Sequence, residues 1–440
     1  MALVALRGYW LGSDFLDSTD AAPYGLLVPD PNKILDLAKG FSYKVISRTG
    51  ERMDDGLLVP GMHDGMAAFA GPKGKTILVR NHELSPENIN QSPYGEGNYL
   101  LKNLAYDQLY DAGRRKTPGL GGTTTLVYDT RLQKLDKQFL SLAGTHRNCA
   151  GGATPWNTWI SCEETVVRKR GSIETDHGYN FEVEVSDRVG LNRPLPLKAM
   201  GRFNHEAIAV DPRTGIVYQT EDREDGLIYR YLPDVPGKLA AGGRLQALAI
   251  KGSRRLDTRN WGLGPRISVG QKLDVEWVDM QNTDSPSDDL RLQGFANGCA
   301  RFAAGEGMLY NRGSVFFSCT LGGSRKKGQI WKLTPSAFDG TQDEKKHSGY
   351  LELFLEPNNA KLLENADNIT LSPKGKIYAC EDGTGAQHIV GITPHGALFK
   401  FAKNALNNSE FAGASFSPDG STFFVNIQSP GLTLAVTGKW

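Results

Sequence analysis

The chain has 440 residues, and its 50 basic and 49 acidic side chains leave a formal charge of +1, which excludes the broad electropositive surface of a nucleic-acid or anionic-membrane binder. Fifty-one glycines and 22 prolines beside 39% hydrophobic residues favour many short strands joined by tight turns over long helices. No run approaches the ~18 apolar residues of a membrane-spanning helix, and five cysteines without a CxxC pair exclude a disulfide framework and the usual structural zinc spacing.

In chain order, residues 1–24 read as an N-terminal extension, whose apolar run in "MALVALRGYWLGSDF" is too short for an export-signal core. Residues 25–440 read as one domain. "PNKILDLAKG", from Pro31, is expected to be a short helix. A unit then recurs: an apolar strand, a Pro/Gly/Asn/Asp turn, and a second strand rich in β-branched and aromatic residues. Its six copies are "DGMAAFAGPKGKTILVRNHE" from Asp64, "CAGGATPWNTWISCEE" from Cys149, "EAIAVDPRTGIVYQTED" from Glu206, "EGMLYNRGSVFFSCT" from Glu306, "DNITLSPKGKIYACED" from Asp367 and "EFAGASFSPDGSTFFVNIQ" from Glu410. The stretches 84–122, 165–200, 233–293 and 332–362 between them read as long loop insertions. Radial closure of six related hairpins leaves only short sheet edges, so the expected fold is all-β, a six-bladed β-propeller with long loop insertions and a few short helices.

Counting six residues back from the turn proline reaches Cys149, Glu206 and Asp367, one repeat position in three copies. Asp64 and Glu410 lie eight back, which allows a bulge or another role, and Glu306 opens its copy in the same way. Inner strands of a propeller line its channel, so these carboxylates and a thiol converge. A second tier closes the outgoing strands: Glu83 in "RNHE", Glu163 or Glu164 in "CEET", Glu221 in "QTED", and Glu381 with Asp382 in "CEDG". Like charges crowded at low dielectric are tenable only with shared protons or cations. Single acidic residues at strand ends are ordinarily solvated, but a solvated turn has no reason to keep charge at one repeat position. Cys162, Cys319 and Cys380 sit in apolar runs and read as packing residues, whereas Cys149 lies in the polar "HRNCAGG" and could ligate as a thiolate. His82 and His205 precede candidate glutamates, so strand alternation turns them away from the channel. "PGLGGTTTLVYD" lacks a phosphate-loop lysine and precedes a strand, and no G-x-S-x-G elbow is present.

"VPGMHDGMAAF", "ILVRNHEL", "NCAGGATPWNTWISCEE", "GRFNHEAIAVDPRTGIVYQTED", "NADNITLSPKGKIYACEDG" and the C-terminal "SEFAGASFSPDGSTFFVNIQSPGLTLAVTGKW" resemble the PhoX-type alkaline phosphatases from about Gly25 to Trp440. The resemblance implies hydrolysis of phosphate monoesters by Lewis-acid activation, a channel cofactor of ferric iron and calcium bridged by oxo groups, and a periplasmic location. It matches the thiolate ligand to Cys149 and carboxylate ligands to Glu83, Glu206, Glu306, Asp367, Glu381 and Asp382; the second-tier reading adds Glu163 and Glu164 as metal-ligand candidates. The family's phosphate-contacting Arg falls at Ala304, two residues before Glu306, leaving Arg301 and Arg147 as the nearby cations for a catalytic set with Glu306. The implied partner is a small phosphate ester, with no nucleic acid or membrane; the oligomeric state stays open. The alternatives are a calcium-dependent esterase, lactonase or phosphodiesterase, which would not need Cys149, and a non-catalytic binding propeller.

Overall fold

The computed structural model describes residues 23–262 and 266–440, so the expected extension over 1–24 lies outside the described residues but for its last two. All six expected hairpins are antiparallel strand pairs: His63–Ala70 with Thr76–His82, Asn148–Ala153 with Thr158–Glu163, His205–Val210 with Val217–Glu221, Gly305–Asn311 with Ser314–Cys319, Ala366–Leu371 with Ile377–Glu381, and Phe411–Phe416 with Thr422–Ile427. The local chemistry of the turns explains them. In the third hairpin the Asp211 carbonyl accepts the Gly215 N–H at 2.8 Å, Gly215 takes φ 74°, and the Asp211 carboxylate holds the Arg213 amide at 2.9 Å. Pro212 fixes the entry and glycine supplies the left-handed exit.

The first strands of the six hairpins touch in sequence order and return to the start, the sixth meeting the first, so they form a closed inner ring. The fold is all-β and propeller-like, with short helices such as Leu290–Asn297 at its margins. Among the described residues the strands make five sheets. The first, second and last hairpins extend into sheets of four, three and four strands, and the fifth into one of six. The third and fourth share a single nine-stranded sheet, because Lys272–Asp279 pairs at its end with Tyr350–Leu355. Ser42–Arg48 pairs with Leu432–Thr437, so an early strand completes the last sheet and ties the two ends of the described chain together.

The structure corrects two sequence expectations. Leu35–Ala38, inside the expected helix, is a strand paired with the outer strand Leu398–Asn404; four residues carry too little helical preference to resist a ladder offered by the neighbouring sheet. The expected loop insertions also contain outer strands: Asn180–Glu184, Gly243–Ile250, Lys272–Asp279 and Tyr350–Leu355. Apolar clusters fill the spaces between sheets; one joins Tyr218, Ile228, Phe302, Phe317, Trp331 and Leu353 across the third and fourth hairpins. Each such side chain removed from water contributes roughly 1.5–3 kcal/mol, which holds the ring rigid around its axis.

Each inner strand carries a register shift near its start: between His63 and Met66, Asn148 and Gly151, His205 and Ile208, Gly305 and Met308, Ala366 and Ile369, and Ala412 and Ser415. A bulge re-aims the side chain within it. The bulged positions begin with Asp64, Cys149, Glu206, Glu306 and Asp367; in the sixth strand Gly413 stands there, and Glu410 lies three residues earlier. Asp64 therefore shares the position of the others, and its longer count to the turn proline comes from a longer strand of eight residues.

Candidate metal centre

Glycines stand in several of these bulges because the ring is tight there. A Cβ on Gly65 would lie 2.5 Å from the Ala150 Cα, one on Gly307 2.7 Å from the Asp367 carbonyl oxygen, and one on Gly413 2.4 Å from the Asp64 carbonyl oxygen. Beyond this constriction all six inner strands line a cavity of about 510 Å³, whose walls include Met66, Ile208, Met308 and Ile369. On its other side lie the acidic residues and the thiol.

There, three overlapping groups hold potential ligand atoms within 4.8 Å of one another: Asp64, Glu83 and Cys149; Cys149, Glu164 and Glu206; and Glu206, Glu306 and Asp367. Cys149 and Glu206 each belong to two groups, so the whole is one continuous patch. Burial, reinforced by the neighbouring carboxylates, pushes Asp64, Glu206 and Glu306 well above the usual carboxylate range and Asp367 up to about 7. The Cys149 thiol is raised well above its ordinary value by burial and then by Glu83 and Glu164, and it donates to Glu164 Oε2 at 3.1 Å. Neutral side chains orient the set. Gln428 Nε2 donates to Asp64 and Glu83, each at 3.0 Å, Thr320 Oγ1 to Glu306 at 3.1 Å, and Asn368 Nδ2 to Asp367 at 3.1 Å.

Of the residues singled out in the sequence, the structure brings together Asp64, Glu83, Cys149, Glu164, Glu206, Glu306 and Asp367. Asp382 lies outside the three groups, but its charge acts on Asp367 and on the buried Glu410. Arg147 forms an ion pair with Glu83 at 2.6 Å and another with Glu164, placing its guanidinium at the edge of the patch. Arg301 is held elsewhere, paired with Asp257 at 3.1 Å and lying 4.5 Å from the Phe295 ring centre. Ala304 is buried with φ 54°, and its N–H donates to the Arg223 carbonyl at 2.8 Å.

Glu163, Glu221 and Glu381 are turned away. Each ends the second strand of its hairpin, and alternation sends the next residue, Glu164, Asp222 or Asp382, to the channel side. Glu163 accepts from His177 Nδ1 at 2.6 Å and from the His146 and Gly178 amides at 2.9 and 2.8 Å. Glu381 accepts from His388 Nδ1 at 2.8 Å and Lys400 at 2.7 Å, and Glu221 from the Tyr229 hydroxyl at 2.9 Å. These carboxylates anchor the loops that follow them. His82 and His205 likewise make packing contacts: His82 bonds the Gly61 carbonyl at 2.8 Å and Thr124 at 2.9 Å, and His205 stacks on Phe203 at 3.6 Å. The sequence reading passed over Asp222, which burial and then Glu164 raise well above the carboxylate range, together with Asn204, Arg223 and Gln428. "TEDRE" contained the signal for Asp222, since the strand parity that distinguishes Glu164 from Glu163 distinguishes it from Glu221.

The sequence profile of the alkaline phosphatase PhoX family matches residues 22–132 and 128–431. Among solved structures, Pseudomonas fluorescens PhoX in complex with vanadate, a transition state analogue, superposes with a TM-score of 0.64 at 17% identity, covering 92% of this chain and 96% of that one. A gluconolactonase from Xanthomonas campestris, XC5397, aligns over 95% of this chain and 99% of its own at 12% identity, with a TM-score of 0.42. The periplasmic gluconolactonase PpgL of Pseudomonas aeruginosa aligns over 88% and 89% at 12% identity, with a TM-score of 0.41. No curated protein matches the chain.

Proposed function

The chain belongs to the alkaline phosphatase PhoX family, and from that premise and the channel geometry we propose that it hydrolyses phosphate monoesters at a metal cluster on the axis of a six-bladed propeller. The blade count takes the nine-stranded sheet as two blades fused along their outer strands, consistent with six inner strands in one ring. The observation that carries the reading is the sharing of Cys149 and Glu206 between three ligand groups. One thiol among many carboxylates suits iron, and an all-carboxylate set such as Glu206, Glu306 and Asp367 suits calcium. The raised carboxyls of the patch fit this assignment, because cations relieve the repulsion that otherwise holds protons there.

Cys149, Glu164, Glu206, Asp64 and Glu83 would hold the thiolate-bound end of the cluster, and Glu306, Asp367 and Asp382 the carboxylate end. Ferric iron and calcium with bridging oxo groups would supply Lewis acidity and neutralise phosphoryl charge. The side chains hold the geometry: Gln428 fixes Asp64 against Glu83, and Thr320 fixes Glu306. Arg147, about a third exposed, sits beside the thiol's neighbours, where its charge offsets Glu83 and Glu164 and would face an arriving anion. We place the protein in the periplasm, with a small phosphate ester as partner, as the family implies.

Elemental analysis of the native protein beside a panel of aryl phosphate mono- and diesters and lactones tests the reading. Iron with calcium, and preferential monoester turnover, are expected. Calcium without iron together with lactone turnover would sink it in favour of a lactonase.

A further inference from the structure

Two guanidinium groups connect to Glu164, Arg147 directly and Arg223 through Asn204. Arg147 is committed to two carboxylates, Glu83 and Glu164. Arg223 follows Asp222, and its backbone is fixed because its carbonyl accepts the Ala304 N–H at 2.8 Å and the Gly226 N–H at 2.9 Å. Its side chain is about a third exposed, and one terminal nitrogen, Nη2, donates to Asn204 Oδ1 at 3.0 Å and to Asp288 Oδ2 at 3.2 Å. Asn204 in turn directs its Nδ2 to Glu164 Oε1 at 3.4 Å, so one amide spans the gap between Arg223 and the patch. The Arg223 Nε is buried and has no hydrogen-bond partner. Asp288, its ion-pair partner, is shared with Arg291, which binds the other oxygen at 3.1 Å, and the charge of Arg223 also acts on Asp222. Arg223 is therefore held in place beside the ligand groups, and its exposed end keeps a terminal nitrogen, Nη1, that donates to no described residue. An anionic oxygen meets an exposed guanidinium donor of this kind with a charge-assisted bond.

We infer that Arg223 is a substrate-binding residue that receives a phosphoryl oxygen of the ester, with Asn204 setting its distance from Glu164. The inference rests on the phosphate-ester reading of the site. A guanidinium selects a dianionic phosphoryl group over a neutral carbonyl, so Arg223 also favours monoesters over lactones.

The test uses the metal-loaded protein with Arg223→Ala, Arg223→Lys and, as a charge control, Arg213→Ala, whose guanidinium pairs with Asp211 at the turn of the third hairpin. Three quantities are read: KM for an aryl phosphate, the inhibition constant of inorganic phosphate, and the rise in Tm caused by inorganic phosphate. Arg223→Ala should raise KM and the phosphate inhibition constant roughly ten- to a hundredfold at unchanged iron and calcium content. Arg223→Lys should recover part of the loss, and Arg213→Ala should match the parent. If Arg223→Ala does not fold, Arg223→Lys alone should still weaken phosphate inhibition several-fold, because it lacks the forked donors. Unchanged phosphate inhibition at normal metal content would overturn the proposal, as would an equal loss of metal in both variants, which would make Arg223 a support for Asn204. If the parent turns over no phosphate ester yet phosphate raises its Tm and not that of Arg223→Ala, the phosphatase reading fails while the anion contact stands. No stabilisation of the parent by phosphate overturns both.

Discussion

Glu163 and Glu164 are adjacent carboxylates with opposite fates. Glu163 points into the blade, where burial opposes its charge, but the His177 imidazolium and the His146 and Gly178 amides outweigh that and hold it below the usual range. Glu164 points into the channel among Cys149, Glu206 and Arg147. The same division of direction separates Glu381 from Asp382 and Glu221 from Asp222, although burial pushes Glu221 up to about 7. What a buried carboxylate does depends on how much counter-charge the protein supplies: His177 meets Glu163, and His388 with Lys400 meets Glu381, and the result is an anchor. In the channel Arg147 alone pairs with Glu83 and Glu164 among the crowded acids, and the carboxyls of Glu206 and Glu306 stay raised.

The sharpest way to break this comparison is to remove a residue shared between ligand groups. Cys149→Ser and Glu206→Gln should each lower iron content and reduce turnover by more than the roughly 10- to 100-fold typical of an outer-shell change. Atomic absorption and steady-state rates would check this, and a Cys149→Ser protein with parental iron would take the thiol out of the centre. Removing the cations acts on all members at once. Chelation should abolish turnover and lower Tm, reversibly on restoring the metals. In the chelated protein the raised folded-state values of Asp64, Glu206, Glu306 and Asp367, the last about 7, mean that the folded state binds more protons than the unfolded state between the ordinary carboxylate range and neutrality. Stability of that form should consequently fall as pH rises from 5 to 8, read by thermal melts, and a pH-independent melt would contradict the crowding.

Changes in the blade wall should instead act on stability. His177→Ala leaves Glu163 and Asp111 buried without their shared cation and should cost roughly 3–5 kcal/mol in urea unfolding, with metal content retained in the folded fraction. His177 is held up to about 9, burial opposing its charge but Glu163 and Asp111 outweighing it. Its folded value lies above the ordinary 6.5, so its stabilisation is complete below that pH and is lost as pH rises through about 9. The metal-loaded parent should lose urea resistance between pH 7 and 10, with a shallower loss in His177→Gln. The smallest effect is expected from Arg301→Ala, since a pair with Asp257 that is about a third exposed is worth about 0–1 kcal/mol. Its kcat/KM should stay within a few-fold of the parent, and a hundredfold fall would restore it to the catalytic set.

The sequence by itself determined the six hairpins and the residues at the start of their inner strands. Each signal is local: "DPRTG" and "SPKG" code their own turns, and the position of Cys149, Glu206 and Asp367 relative to the turn proline follows from strand periodicity within one hairpin. Only the tertiary structure decided the rest. The outer strands, Leu35–Ala38 and Lys272–Asp279 among them, pair with partners hundreds or tens of residues away and carry no turn code of their own. The choice of Glu164 over Glu163 needed the parity of the outgoing strand measured against a bulged neighbour, where a shift of one residue exchanges channel for wall. Gly413 in place of an acidic residue, and the meeting of Asn204 with Arg223 beside Glu164, exist only once the ring has closed, because they depend on the approach of separate blades rather than on any segment's own preference.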